Sequence, residues 1–170
     1  MGEEIDLLRK YAADIRIGIV DMVTRAKSSH AGGALSSADL LAALYFKVLK
    51  IDPKNPMWQD RDRFILSKGH CCSALYAALA NRGFFPKEKL DGYCSDGGSM
   101  WGHLSLNSAP GVDATTGSLG HGLSIGVGMA IAVKRNNKNS RVFVLLSDGE
   151  CDEGSVWEAA LSAHQFELDN

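Results

Sequence analysis

The sequence has no excess of positive charge, no apolar stretch of membrane-spanning length and no paired cysteines, and each absence removes a class of function. Eighteen Lys and Arg stand against 20 Asp and Glu, a formal net charge of −2. No surface able to neutralise a run of nucleic-acid phosphates is expected from that balance, and neither nucleic acid nor membrane is an expected partner. The opening Met1-Gly2-Glu3-Glu4 is acidic and lacks the basic-then-apolar order of a secretory signal. Cys71, Cys72, Cys94 and Cys151 form neither a C-x-x-C pair nor a zinc-ligand spacing, so they read as buried or half-buried free thiols in a reducing cytoplasm. With 170 residues, 45% of them hydrophobic, the chain suits one α/β domain with one core.

What is present is a sequence of punctuated elements. Ile5, Leu8, Ala12, Ile15, Ile19, Val20 and Val23 recur at helical spacing, predicting an amphipathic helix from about Glu3 to Lys27. A loop through Ser28–Gly33 places His30 between helices, and a serine of Ser36-Ser37 is expected to cap a helix from Asp39 to about Leu49. Arg63–Ser67 reads as a short buried strand, followed by Lys68-Gly69-His70 and a helix from Cys71 to Arg82 that stops at Gly83. Ser95–Gly122 is glycine-rich and aperiodic, as a binding loop would be. A helix from Leu123 to about Lys134 carries Gly126 and Gly128, which predict close approach of a neighbour. Val142–Leu146 is continuously apolar, as a central parallel strand covered on both faces would be. A last helix is expected from Glu153 to Phe166. Two strands are fewer than such a sheet implies.

The chemistry-bearing residues fall where these elements meet. Ligands of open α/β sheets bind beyond the carboxyl ends of strands, and Ser147-Asp148-Gly149-Glu150 follows such an end. Asp148 could give a hard cation an oxygen ligand while Gly149 admits phosphate oxygens to the backbone; viewed alone, Asp-Gly is equally ordinary turn chemistry. Thr115-Thr116-Gly117-Ser118-Leu119-Gly120-His121-Gly122 leads into a helix, where free N–H donors and the helix dipole favour phosphate, although a tight packing turn would look the same. His30, His70 and His103 each lie beside glycine or in a glycine-rich loop, suited to proton transfer or polar substrate contact. They lack local metal spacing, His164 sits mid-helix without a catalytic role, and His121 stays open because it lies inside the phosphate-loop candidate.

Taken in order, Ser29-His30-Ala31-Gly32-Gly33, Asp62–His70, Gly102-His103, Thr115–Gly122 and Ser147–Glu150 with Asp152-Glu153-Gly154 resemble the N-terminal domain of transketolases across nearly the whole chain. The resemblance implies a three-layer α/β fold with a largely parallel sheet, the thiamine-diphosphate-binding fold, incomplete at its C-terminal end, with residues 1–170 as the N-terminal part of that domain. It implies sugar contacts for His30 and His103 and cofactor contacts for His70, Gly117, Leu119, Asp148 and Gly149. Asp148 would also ligate magnesium, and Glu153 would face another subunit. Ala31, Lys68, Ser118, His121 and Ser147 depart from the full-length enzymes. These departures bear on sugar preference and are more like the N-terminal subunits of split transketolases.

The second metal ligand and the activating glutamate of such enzymes lie beyond what this sequence contains. The implied cofactors are thiamine diphosphate and magnesium. The implied partners are sugar phosphates and a C-terminal transketolase subunit or domain, in a homo- or hetero-oligomer. The implied activity is transfer of a two-carbon ketol unit by the assembly rather than by this chain alone. Two other readings stay open. One is an enzyme like 1-deoxyxylulose-5-phosphate synthase, and the other is a catalytically silent assembly subunit.

Overall fold

Two strands that pair in parallel organise the chain, and helices cover both of their faces. The computed structural model describes residues 2–170. In chain order the elements are α1 (Gly2–Ala26), α2 (Ala31–Leu35), α3 (Ala38–Ala43), β1 (Arg63–Leu66), α4 (Cys72–Arg82), α5 (His121–Arg135), β2 (Val142–Leu145) and α6 (Gly154–Gln165). Short 3-10 turns precede α4 and α6, and another follows α4 at Lys87–Gly92. No helix among the described residues is long and apolar enough to cross a membrane.

The spacing of apolar residues decides which face is buried. On α1 the buried residues are Ala12, Ile15, Ile19 and Met22, the three- and four-residue spacing that keeps one helix face inward. α4 is buried almost throughout, from Cys72 to Ala80, so its alanines let it pack closely against α1. Phe64 and Leu66 join this helical core, with Phe143 and Leu145 of β2 packed against it. Ile65, Val142 and Val144 point the other way, toward α5 at Gly126. Side chains alternate across a strand, and that alternation sets α1 to α4 on one face and α5 on the other. The expected three layers are present.

The sheet is smaller than its apolar strands predict. β1 pairs with β2 in register Arg63 to Val142 through Leu66 to Leu145, and among the described residues there is no third strand. The glycine-rich loop covers the free edge of β1 instead: Phe64 N donates to Asp113 Oδ2 at 2.9 Å, and Thr116 Oγ1 donates to Leu66 O at 2.8 Å. Arg61 holds Asp113 in place through both guanidinium nitrogens, at 3.1 and 2.5 Å. The apolar sequence of β2 predicts a central strand covered on both faces, but each of its residues is half-buried. On its outer edge Val142 N donates to Asn170 O at 2.8 Å. With only one neighbouring strand, an apolar run keeps part of its surface in solvent.

At the start of the two strands, Asp62 is 2% exposed and accepts from Lys50 N at 2.9 Å, Arg141 N at 2.8 Å and Arg141 Nη2 at 2.7 Å. Burial alone would raise its pKa, but the Arg141 guanidinium and the two backbone donors outweigh burial and hold it below the usual carboxylate value.

Two helix readings change. The expected helix from Asp39 to Leu49 starts at Ala38 and ends in a π turn, Leu44–Val48, closed by Leu49 N donating to Leu44 O at 2.8 Å. Its serine cap is absent: Ser36 and Ser37 lie in helical conformation, and their hydroxyls donate backward to Gly33 O at 2.8 and 3.0 Å. The four cysteines are free, as expected, although Cys94 is exposed.

The two helical glycines of α5 separate by environment. A Cβ on Gly126 would stand 2.5 Å from Val144 Cγ2, whereas one on Gly128 would meet nothing within 4 Å. Gly128→Ala is therefore expected to raise stability by up to about 1 kcal/mol, and Gly126→Ala to lower it by about 1–3 kcal/mol. Chemical denaturation of the two variants checks the opposite signs.

Candidate functional site

Beyond the carboxyl ends of β1 and β2, three chain segments converge on one buried carboxylate. Glu150 is fully buried. Its Oε1 accepts from the Ser67 hydroxyl at the end of β1 and from Gly120 N, just before α5, at 2.8 Å. Its Oε2 accepts from Ser147 N at 3.2 Å, just past β2, while Glu150 N donates back to Ser147 Oγ at 3.2 Å. Gly122 N donates to Ser67 Oγ at 3.1 Å. A buried carboxylate without partners would be costly, so these donors fix the relative positions of the three loops. Neither Glu150 nor Ser67 is among the site residues read from the sequence. A signal for Glu150 exists there: Ser147-x-x-Glu150 is the spacing of a reciprocal capping box.

Close backbone approach does the rest. A Cβ on Gly69 would collide with the backbone of Thr116 and Gly117, so only glycine lets the turn after β1 lie against the glycine-rich loop. Gly120 has φ +81° and is packed against Ser155 and Glu153, with Ser155 Oγ donating to Gly120 O at 3.0 Å. The start of α6 thus supports the turn that opens α5. Among the described residues the N–H groups of Gly117, Ser118 and Leu119 have no hydrogen-bond partner.

Three of the five histidines gather here. The ring of His30 lies 5.1 Å from that of His70 and 6.1 Å from that of His103. A Cβ on Gly117 would be 3.2 Å from His103 Cδ2, so His103 borders the glycine loop. His30 precedes α2 at φ +71°, an uncommon conformation for a residue with a side chain and one that clusters at functional positions. Burial first, then the neighbouring His30, His103 and Lys68, push the His70 pKa below its ordinary value of 6.5. Among the described residues no group of three or more histidine, cysteine or acidic side chains is arranged to hold a metal ion.

The other predicted residues lie as follows. Gly117 and Leu119 are on the glycine loop, exposed, with Leu119 37% accessible. Asp148 and Gly149 are exposed just after β2, held there by the Ser147–Glu150 pair. Glu153 is exposed at the start of α6. His121 opens α5 with its Nδ1 3.1 Å from Leu119 O, and His164 is exposed on α6, away from the cluster.

These residues suit a diphosphate with a divalent cation. Free N–H groups before the 15-residue helix α5 are anion donors. The exposed carboxylate of Asp148 suits magnesium, which uses one or two protein carboxylates and completes its shell with phosphate oxygens and water.

Residues 8–170 match the family described as transketolase, thiamine diphosphate binding domain. The chain is 45% identical, over all of its length and 62% of the relative's, to a 6-deoxy-6-sulfo-D-fructose transketolase subunit of Clostridium sp. (strain MSTE9). It is 42% identical, over 98% of itself and 59% of the relative, to an apulose-4-phosphate transketolase subunit of Phocaeicola vulgatus. The chain therefore spans about 60% of the length of these curated relatives. Among solved structures, a transketolase of Campylobacter jejuni superposes with a TM-score of 0.91 at 34% identity, over 97% of this chain and 27% of that one. A Pichia stipitis transketolase complex with sedoheptulose 7-phosphate gives 0.87 at 35%, over 95% of this chain and 26% of that one.

Two outcomes are expected from this geometry. Glu150→Ala strands Ser67, Gly120 and Ser147 without their acceptor and lowers stability by about 3 kcal/mol or more, measured by denaturant titration. An unfolded imidazole takes up a proton near pH 6.5 while folded His70 does so only at lower pH, so stability falls as pH drops below 6.5 and is unaffected by this group above it. His70→Gln should remove that part of the slope in thermal melts between pH 7 and pH 5.

Proposed function

The chain belongs to the transketolase family through its thiamine diphosphate binding domain, and we propose that it is the N-terminal part of that domain in a subunit of a two-chain transketolase. With a C-terminal partner chain, and in an oligomer, it would move a two-carbon ketol unit between sugar phosphates using thiamine diphosphate and magnesium. The observation that carries this reading is the meeting of His30, His70 and His103 beside a glycine loop with free N–H groups. The relatives named as subunits of transketolases, of similar coverage, support the two-chain arrangement. The sugars named for these relatives differ, so the donor preference would be set by residues around His30 and His103 rather than by the cofactor site.

Each residue has a role in that assignment. The N–H groups of Gly117 to Leu119 and the start of α5 receive phosphate oxygens. Asp148 gives magnesium a carboxylate oxygen, and Gly149 allows the backbone to approach the diphosphate closely. His70, whose pKa is lowered by burial and then by His30, His103 and Lys68, offers a hydrogen bond to the same group. When bound, the cofactor supplies the electron sink for breaking and making the carbon–carbon bond. His30 and His103, both exposed toward the site, hold sugar hydroxyls and exchange protons with them.

Calorimetric titration of the assembled protein tests the division of labour. Asp148→Ala should lose magnesium-dependent binding of thiamine diphosphate, and His70→Ala should weaken it about tenfold. His103→Ala should leave cofactor affinity intact while lowering kcat/KM for sugar about 100-fold or more. Unchanged cofactor affinity in Asp148→Ala would remove that residue from the site, and identical behaviour of the two histidine variants would refute their separate roles.

A further inference from the structure

We propose that Lys68 is an anion-binding residue of this site, its ammonium held inside the protein without a carboxylate so that a phosphate oxygen of the ligand completes it. Lys68 is 7% exposed and follows β1 directly. Its Nζ donates to Gly33 O at 3.4 Å and to Ser36 Oγ at 3.5 Å, both at the long limit of a hydrogen bond. No Asp or Glu among the described residues pairs with it: the one buried carboxylate nearby, Glu150, is occupied by Ser67, Gly120 and Ser147. An ammonium has three donors and is costly to bury without an anion.

The charge faces the site already described. Gly33, whose carbonyl Lys68 touches, lies against the next turn, since a Cβ there would stand 2.8 Å from Cys71 Sγ and 3.6 Å from His70 Nε2. The Lys68 charge also contributes to the depressed pKa of His70 and opposes the burial that raises the Cys71 thiol. The end of α2, Lys68 and His70 therefore share one small space. Lys68 is the buried cation there. The ligand it fits is a phosphate-type anion, either the cofactor's diphosphate or the phosphate of a sugar. The assignment to this cofactor rests on the functional reading above, whereas the need for an anion does not.

The experiment compares wild type, Lys68→Met and Lys68→Arg in the assembled protein. Its readouts are calorimetric affinity for thiamine diphosphate and for inorganic diphosphate, KM for a ketose phosphate, and the melting temperature without ligand. Because methionine removes an unpaired buried charge, the ligand-free Lys68→Met protein should melt at the same temperature or higher. Its affinity for both diphosphates should fall about tenfold or more, with Lys68→Arg intermediate. A rise in KM for the ketose phosphate with both diphosphate affinities unchanged assigns the same ammonium to the sugar phosphate. Unchanged affinities with unchanged KM, or a loss of affinity accompanied by a lower melting temperature, overturn the proposal and make Lys68 a structural residue. Failure of wild type to bind thiamine diphosphate would refute the functional reading separately, while inorganic diphosphate would still report on Lys68.

Discussion

The carboxylate of Glu150 is the constraint on which the site depends. It is fully buried and takes donors from the end of β1, the turn before α5 and the turn after β2. Each of these segments carries different candidate residues: Lys68 and His70 follow the first, Gly117 to Leu119 precede the second, and Asp148 follows the third. In a low-dielectric interior the cost of leaving a charge or a donor unpaired is high, so the segments are held at one mutual spacing. The close approach of Gly69 to the glycine loop then becomes unavoidable, and no side chain can be accommodated there.

The electrostatics of the site follow from where anions are absent. Glu150 is consumed internally, and Asp148 stands exposed at the rim. The candidate site is lined by imidazoles, a buried ammonium and backbone N–H groups without partners among the described residues, a combination that favours an anion over a cation. The lowered pKa of His70 has the same origin, since burial and its positive neighbours both disfavour a further proton. Asp148, exposed at the rim, and Lys68, buried, put opposite charges on neighbouring loops of the candidate site.

A second consequence concerns surfaces left open. β1 has its free edge covered by Asp113 and Thr116, so the loop that builds the site also takes the place of a missing strand. β2 is half-buried, with Val142 N met on its outer edge by Asn170 O, and on α6 Trp157 and Leu161, one turn apart, are 63% and 71% exposed. Large apolar side chains grouped on one helix face mark contact surfaces in soluble proteins. They lie beside Glu153, the residue whose position in the sequence resembles an inter-subunit contact.

Much of the fold is legible in the order of residues alone. Periodicity marks α1, α4, α5 and α6, the β-branched and aromatic runs mark both strands, and strand-end placement marks Asp148, because these signals are local and set by side-chain spacing. The collinear motifs point to the family. Other features are not local. The sequence does not show that Glu150 is a buried hub rather than a turn acid, since its donors lie 83 and 30 residues away. It does not distinguish Gly126, pressed against Val144, from Gly128, which faces open space. Nor does it show that Lys68 is buried without a carboxylate partner among the described residues, or that the rings of His70 and His103 stand 5.1 and 6.1 Å from that of His30. Spacing along the chain fixes what each element is, but which polar groups are left unpaired, and therefore what the site can bind, is settled only when distant segments pack against one another.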